Sequence, residues 1–431
     1  MYKLTLLVTS SRPDSIMAVI QIISILTVIA LLYMSVFATS TGPDPQLELA
    51  DANNRFAFHL YQTLADDPHR DNIFFSPMSI SIALAMTSLG ARGNTARQIK
   101  DVLKFSTLEE SRLHSSFAEL NSAIFGANAD KYVLRKANRL FGHKGFDLRQ
   151  EFLADAERYY SSHMASLDFV EDTEVAREFI NSWVGRETED KIRDLLPHGS
   201  ITGMTQLVLV NAIYFKADWV RQFDKSKTFD QDFHVSKDQV LEVPMMHRKS
   251  KFNFAEDITL RCKLIELPYV GQDFSMIVVL PDEIDGIDRL QKHLTNEKLQ
   301  HLLNNLSNVT VGVAIPKFKL EETLHMNDVL YSMGMRDLFV RDKADLSGIT
   351  GTRDLFVSSV IHRAFLEVNE EGSEAAAATA VTINKRSISL APEFIADHPF
   401  LFFIADSKTK AIVFMGHCRK PEGVSLNHEE L

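Results

Sequence analysis

Residues 368–390 read VNEEGSEAAAATAVTINKRSISL, and the character of the chain changes three times within them. Acidic residues and Gly372 come first, small residues follow, and a β-prone run leads into the basic pair Lys385-Arg386. Side chains of a strand alternate between two faces, and one face here carries only small or apolar residues: Ser373, Ala375, Ala377, Thr379, Val381 and Ile383. Because the stretch contains no proline, it is patterned like a half-buried strand that the middle of a sheet can accept.

Four consecutive alanines are also a strongly helix-forming sequence, so an exposed helix or a linker is the alternative interpretation. The context argues for a strand-like loop, because two apolar strands flank the stretch and the small Ser387 follows the basic pair. An exposed loop with such a pair is a good substrate for a trypsin-like protease. A loop of this kind without any further mechanism would simply be cut.

The rest of the chain changes from helical to strand patterning near Leu207. Residues 76–93, SPMSISIALAMTSLGARG, begin with a Ser-Pro helix start and end in glycines, as a buried helix does. Residues 273–282, DFSMIVVLPD, are typical of the later segments, which are short, β-branched or aromatic, and bounded by turn residues. The sequence predicts an α+β protein, and the absence of a repeat, linker or composition break after Ala50 favours one domain.

Composition and motifs exclude several function classes. The 431 residues include 45% hydrophobic residues, enough for a large core, and the net charge of -11 argues against nucleic-acid binding. A nucleophile elbow, a phosphate-binding loop and a metalloprotease motif are all missing, and the 15 histidines show no metal-ligand spacing. We therefore expect no enzyme, no cofactor and no metal site, and a function that depends on binding or conformational change.

Several segments together resemble the serpin family. Residues 370–380, EEGSEAAAATA, resemble the hinge of inhibitory serpins, and the similarity runs over almost the whole chain after about Leu47. The other segments that carry it are NIFFSPMSISIALAMTSLGARGNTARQI at 72–99, NAIYFKADWVRQF at 211–223, VAIPKFKLE at 313–321 and HPFLFFIADSKTKAIVFMG at 398–416. The resemblance implies one α+β domain of three β-sheets and about nine helices, with an exposed reactive-centre loop and a metastable native state.

The resemblance also implies a mechanism, in which a protease forms an acyl-enzyme with the loop and the cut loop then inserts into a sheet. Counting as the family does from Gly372 places the scissile bond at Arg386-Ser387, with Lys385 as the alternative if the register slips by one. The expected partner is a trypsin-like or dibasic-cleaving, proprotein convertase-like serine protease, held in a covalent complex. The alternative is a non-inhibitory serpin that acts as a chaperone or carrier.

Three groups of residues receive roles from the resemblance. The breach, where insertion starts, comprises Trp219, Lys317 and Glu370, with an expected ion pair from Lys317 to Glu370. The shutter, which gates the sheet, comprises Ser76, Ser79, Asn211 and His362. The hinge comprises Glu370, Glu371, Gly372, Ser373, Glu374, Ala375, Ala376, Ala377 and Ala378.

The two ends of the chain predict the secretory pathway. Residues 1–38 have the pattern of a signal peptide cleaved after Ala38, with Ser40 as the neighbouring choice and an uncleaved anchor as the alternative. The serpin domain is expected over 47–421 and a tail over 422–431, whose ending His428-Glu429-Glu430-Leu431 resembles an endoplasmic-reticulum retrieval signal; a solvated acidic tail is the alternative. The protein is thus expected outside the cell or retained in the endoplasmic reticulum.

The remaining expectations concern modification and partners. Asn305 and Asn308 lie in glycosylation sequons, and Cys262 and Cys418 are expected as buried free thiols, with a disulfide as the minority alternative. We expect a monomer without stable membrane insertion after signal cleavage. We also expect no heparin activation, because Glu109, Glu110 and Glu119 lie where heparin-activated relatives concentrate basic residues.

Overall fold

A computed structural model describes Thr27 and residues 44–67, 70–126, 131–373 and 391–422. Five predicted features lie outside the described residues: the signal peptide apart from Thr27, the bait bond Arg386-Ser387, Lys385, hinge residues Glu374 to Ala378 and the retrieval-like ending. The described residues from Pro45 onwards form one compact unit. Within the described residues, no helix is both long and apolar enough to cross a membrane.

Helices dominate the first half of the described chain. Helix α2 begins after Ser76, whose side chain accepts a hydrogen bond from the N–H of Ser79, and Pro77 occupies its first position, where a missing N–H costs nothing. The α-helices are α1 (Pro45–Ala65), α2 (Pro77–Gly90), α3 (Gly93–Val102), α4 (Glu110–Phe125), α5 (Gln150–Tyr160), α6 (Thr173–Glu187), α7 (Ile287–His293), α8 (Asn296–Asn304), α9 (Asn327–Ser332) and α10 (Ser347–Thr350).

A six-stranded sheet lies across the unit. Its strand order is β10-β11-β4-β2-β3, and the short β12 pairs with β4. β11 and β4 run parallel, and β10 is antiparallel to β11. β2 is antiparallel to β4 and parallel to β3. The strands are β2 (Tyr132–His143), β3 (Ala165–Leu167), β4 (Leu207–Asp218), β10 (Phe318–His325), β11 (Ser359–Val368) and β12 (Gly372–Ser373).

A nine-stranded sheet accounts for the remaining described strands. Its order is β1-β15-β14-β8-β7-β6-β9-β13, with β5 paired to β6. The strands are β1 (Ile73–Phe75), β5 (Thr228–His234), β6 (Val240–Asp257), β7 (Cys262–Pro268), β8 (Phe274–Pro281), β9 (Ser307–Pro316), β13 (Glu393–Ile395), β14 (Phe400–Asp406) and β15 (Ile412–Cys418).

The predicted α+β class and serpin fold are confirmed, and one detail differs. Hydrogen bonding in the described residues produces two sheets where the resemblance implies three. The reason is the 18-residue strand β6, whose first part pairs with β5 and whose last part pairs with β7, so that it joins two smaller sheets. Because of this junction, the sheet that receives the hinge is the six-stranded one and not the largest.

Strand β4 separates two apolar clusters. Leu207, Leu209, Ile213 and Phe215 point into the main core, which extends beneath α2 and the nine-stranded sheet. Val208, Val210, Ala212 and Tyr214 point into a smaller cluster under α6. The strand is therefore buried on both faces and reads as a continuous apolar run, as expected for a strand in the middle of a covered sheet.

Candidate functional site

The two parallel strands β4 and β11 stay paired over only part of their length. Their pairing runs from Val208 opposite Ser359 to Tyr214 opposite Phe365. Above that point, β12 pairs antiparallel with β4, with Gly372 opposite Asp218 and Ser373 opposite Ala217. The hinge therefore already contributes its first residues to the upper end of the sheet, at the place where β4 and β11 separate.

Gly372 fits this position because it has no side chain. Its φ is +159°, and a Cβ added there would collide with the carbonyl oxygen of Ala217 and lie 2.5 Å from the Cα of Asp218. Asn369 closes the turn before it, since its side-chain oxygen accepts the N–H of Gly372 at 3.2 Å and its own N–H donates to the carbonyl of Gly372 at 2.9 Å. Any larger residue would force the hinge away from β4.

The three predicted breach residues meet at the upper end of the opening. Lys317 Nζ lies 3.2 Å from Glu370 Oε2, and both side chains are largely buried. Trp219 Nε1 donates to the carbonyl of Asn369 at 3.0 Å, and its ring stacks on Tyr269 with centroids 4.4 Å apart. These contacts attach Asn369 to the residue that follows β4, and the first hinge residue, Glu370, to the junction between β9 and β10.

A second acidic residue, Glu371, forms an ion pair at the same end of the sheet. Glu371 is only 6% exposed, and its Oε1 lies 2.7 Å from Lys225 Nζ. Its Oε2 is buried and has no hydrogen-bond partner among the described residues. Burial and the neighbouring Glu371 carboxylate raise the pKa of Asp218, which lies opposite Gly372. Negative charge is thus concentrated where the hinge enters the sheet, and Lys317 and Lys225 compensate it.

The four predicted shutter residues form one buried hydrogen-bond network beneath the closed part of the sheet. The N–H of Ser76 donates to His362 Nε2 at 3.0 Å, and Ser76 Oγ donates to the carbonyl of Val413 at 2.6 Å. The other ring nitrogen of His362 donates to Asn211 Oδ1, and Asn211 Nδ2 donates to Ser79 Oγ. The network ties β11 and β4 to each other and to helix α2.

Asn138 belongs to the same network and was missed by the sequence analysis. Its Oδ1 accepts hydrogen bonds from Asn211 Nδ2 and, at 3.0 Å, from Ser79 Oγ, and its Nδ2 donates to the carbonyl of Ser79 at 3.3 Å. Asn138 lies directly opposite Asn211 in the antiparallel pair β2 and β4. The one sequence signal for its role is that a polar asparagine interrupts the strand-like segment YVLRKANRLFG at 132–142.

The network determines the protonation state of His362. Because a backbone N–H points at Nε2, that nitrogen must be an acceptor, and the ring is neutral with its proton on Nδ1. Complete burial lowers the pKa of His362 to about 3. A protonated ring would point a second donor at Ser76 and leave a buried charge without a partner.

The other predicted residues lie apart from this site. Cys262 and Cys418 are free and buried, and burial raises the pKa of the Cys262 thiol to about 12. Asn305 and Asn308 are exposed near the start of β9, where Asn308 Nδ2 donates to Asn253 Oδ1 at 2.8 Å. In the part of the chain that the structure describes, no group of His, Cys, Asp and Glu could hold a metal ion.

Comparisons with known proteins agree on the family. A family model described as "Serpin (serine protease inhibitor)" matches residues 51–421. The leukocyte elastase inhibitor of Equus caballus is 46% identical over 382 residues, which cover 87% of this chain and all of that protein. A crystal structure of uncleaved ovalbumin has a TM-score of 0.79 at 33% identity, covering 86% of this chain and 100% of that chain. Human thyroxine-binding globulin complexed with thyroxine has a TM-score of 0.81 at 30% identity, covering 88% and 100%.

The family match corrects one expectation. Missing catalytic motifs had led only to the negative statement that the chain is no enzyme. The match replaces that statement with a positive one about inhibition of serine proteases. The chain is a member of the serpin family of serine protease inhibitors.

Proposed function

We propose that this chain traps a serine protease that cleaves after basic residues, by offering Arg386-Ser387 as bait and inserting the cut loop between β4 and β11. The observation that carries the proposal is the hinge pairing, because Gly372 and Ser373 already run antiparallel to β4 above the last β4-β11 pair. A strand between two parallel neighbours can hydrogen-bond to both when it runs opposite to them. Gly372 and Ser373 would be the first residues of such a strand.

The register of β12 specifies where the inserted residues would go. Continued residue by residue, it places Thr379 opposite Asn211 and Ile383 opposite Leu207. Directly opposite residues in antiparallel strands share a face, so the small or apolar face of the loop would point into the main core beside Leu207 and Leu209. The face that the sequence pattern makes small or apolar is therefore the face that the structure would bury.

Insertion of this strand supplies the driving force for trapping. Strand β4 is 12 residues long, and about a dozen new ladder hydrogen bonds contribute roughly 1 kcal/mol net each. Burial of Val381 and Ile383 adds about 1.5–3 kcal/mol each. The uncut protein would then be metastable, since the cut loop has a lower free energy inside the sheet than outside it.

The test is to mix the purified protein with trypsin and look for an adduct that survives SDS. We expect an adduct, and a released C-terminal peptide whose mass corresponds to a start at Ser387. Arg386→Gln should abolish the adduct and Lys385→Gln should keep it, and the reverse pattern would move the bait bond to Lys385. Clean cleavage after Arg386 without an adduct, and without gain in heat resistance, would refute inhibition and favour a non-inhibitory member.

A second target class has support from one relative. The Equus caballus protein at 46% identity is a leukocyte elastase inhibitor. Leukocyte elastase therefore belongs in the same experiment beside trypsin. An adduct with elastase alone, retained in Arg386→Gln, would keep loop insertion but replace Arg386 as the bait residue.

We further propose that the protein enters the secretory pathway. The support is the signal-peptide pattern of residues 1–38, together with the exposure of both sequon asparagines, Asn305 and Asn308. Expression in a secreting cell should yield a product that loses mass on treatment with a glycan-removing amidase, and Asn305→Gln and Asn308→Gln assign the sites. Deleting residues 428–431 should raise the export rate, and an unchanged rate would exclude the retrieval signal.

A further inference from the structure

Strand β6 carries a basic run that the trapping mechanism does not use. Residues 247–251 read HRKSK, and His247, Lys249 and Lys251 share one face of the strand because they are two residues apart. Lys249 and Lys251 are exposed, and neither has a carboxylate within ion-pair distance in the part of the chain that the structure describes. Uncompensated lysines in a row on one strand favour an anionic partner.

A cavity of about 360 Å³ lies beside this run, between β6, β9 and β13. Gly312 on β9 leaves room for it, since a Cβ there would only come into ordinary contact with Glu393. Ile395 lines the cavity, and Phe229 contacts the lining residue His247. Phe229 is 49% exposed and stacks on His247 with ring centroids 4.5 Å apart, and Ile395 is 39% exposed. We call Phe229, His247, Lys249, Lys251 and Ile395 the basic patch.

Further cations surround the patch. Lys263 reaches over from β7 and donates to the carbonyl of Glu393 at 3.1 Å. Lys227 lines the cavity, although Asp224 compensates it at 3.0 Å. The side chain of Glu393 also lines the cavity. The acidic groups beside these lysines are Glu393 and Glu256, which lies opposite Lys263. The three lysines Lys249, Lys251 and Lys263 outnumber them, so the local charge is positive on a chain whose net charge is -11.

The basic patch lies close along the chain to the bait bond. Ile395 and Glu393 belong to β13, the first described strand after the bait loop, and Glu393 follows Ser387 by six residues. Six residues span at most about 20 Å. A protease domain of about 230 residues is roughly 45 Å across, so an enzyme on the bait bond would overlie this edge of the sheet.

We propose that the basic patch binds an acidic surface segment of the target protease and accelerates its association with the bait loop. The proposal rests on the proposed function, because it needs an enzyme at Arg386-Ser387. Charges at the rim of an interface act mainly on the association rate, and opposite charges raise it by about tenfold or more at low salt. The basic patch would select among enzymes that cut after the same residue.

The experiment uses anionic and cationic trypsin, which cleave after the same residues and carry opposite net charge. We measure the second-order rate constant of inhibition for both enzymes with the wild-type protein and with Lys249→Glu/Lys251→Glu. The control is Arg341→Glu/Lys343→Glu, which makes the same change in net charge at exposed residues in a loop between α9 and α10. The ratio of the anionic to the cationic rate constant should fall about tenfold in the patch variant and less than twofold in the control.

Salt and stoichiometry complete the design. In 1 M NaCl the effect of the patch variant on the ratio should nearly vanish, because the screening length there is about 3 Å. The stoichiometry of inhibition should stay unchanged, since the patch takes no part in loop insertion. An unchanged ratio at low salt, or an equal change in both variants, would overturn the proposal.

Two other outcomes have separate meanings. If neither trypsin forms an SDS-resistant adduct with the wild-type protein, the proposed function fails, independently of the patch. If a heparin fragment binds the wild type but not Lys249→Glu/Lys251→Glu, while the ratio of rate constants is the same in both, the patch binds a sulfated polysaccharide and the protease interaction is refuted.

Discussion

The backbone N–H of Ser76 donates to Nε2 of His362 at 3.0 Å, although the two residues are 286 positions apart in the chain. Ser76 caps helix α2, and His362 lies on β11, opposite Asn211 on β4. Insertion of a strand between β4 and β11 must break the hydrogen bond between His362 and Asn211. The network therefore stabilises the protein as described, and the proposed insertion would have to break part of it.

The pH dependence of stability follows from the buried histidines. Burial lowers the pKa of His362 and His417 to about 3 and that of His114 to about 4, each from 6.5. The unfolded chain therefore binds more protons than the native one between about pH 3 and 6.5. The free energy of unfolding should fall as the pH falls through that window, by roughly 1 kcal/mol per pH unit for each histidine. Urea titrations at pH 7, 6, 5 and 4.5 measure it.

A matched pair of variants isolates the contribution of His362. His362→Gln should flatten the pH dependence, because the residue no longer gains a proton on unfolding. His325→Gln, a change at an exposed histidine, should leave the slope as it is. Equal slopes in both variants would show that His362 does not resist protonation in the native state.

Loss of the Asn211 side chain should destabilise the uncut protein. Asn211→Ala removes the acceptor of the His362 Nδ1–H and a donor to Ser79 and Asn138, which leaves buried polar groups unpaired. Each unpaired group costs about 1–3 kcal/mol, so we expect a loss of at least 2 kcal/mol in the free energy of unfolding. Asn304→Ala, at an exposed position, is the control and should change it by less than about 0.5 kcal/mol. A loss no larger than that of the control would contradict the role of the network.

Substitution of Gly372 should release the hinge from β4. The Cβ of Gly372→Ala would collide with the backbone of Ala217 and Asp218, so β12 cannot keep its pairing. Hydrogen exchange of the amides at 217–219 and 372–373 should become faster by at least tenfold. In Gly203→Ala, where the added Cβ has only ordinary contacts, exchange at these amides should not change. Unaltered protection in Gly372→Ala would mean that the hinge is not held by β4.

A charge at the first inserted position should convert the inhibitor into a substrate. Ser373 is the second residue of β12, and it pairs with Ala217, from which the proposed insertion would continue. Burying an arginine there is costly, so Ser373→Arg should slow insertion until hydrolysis of the acyl-enzyme dominates. The number of inhibitor molecules consumed per trypsin should rise severalfold, whereas exposed Ser332→Arg should leave it unchanged. Equal trapping by both variants would refute insertion as the inhibitory step.

Much of the fold was predictable because its signals are local. The Ser-Pro start of α2, the continuous apolar run of β4 and the short β-branched segments after Leu207 each depend on neighbouring residues only. The merging of two sheets through β6 was not predictable, because it depends on which partners one long strand meets at its two ends. The shutter residues were indicated only through the family resemblance. Asn138 was missed because the residues around it do not show that it will pair with Asn211.

From the sequence alone came the alternating pattern of residues 373–383, the absence of proline and the basic pair that follows, because strand period and cleavage chemistry depend on residues next to one another. The tertiary structure decided that Gly372 opposes Asp218, that Glu370 reaches Lys317, and that a neutral His362 links α2 to β11. These contacts join segments tens to hundreds of residues apart, and their free energy depends on burial, which arises only when the whole chain has packed.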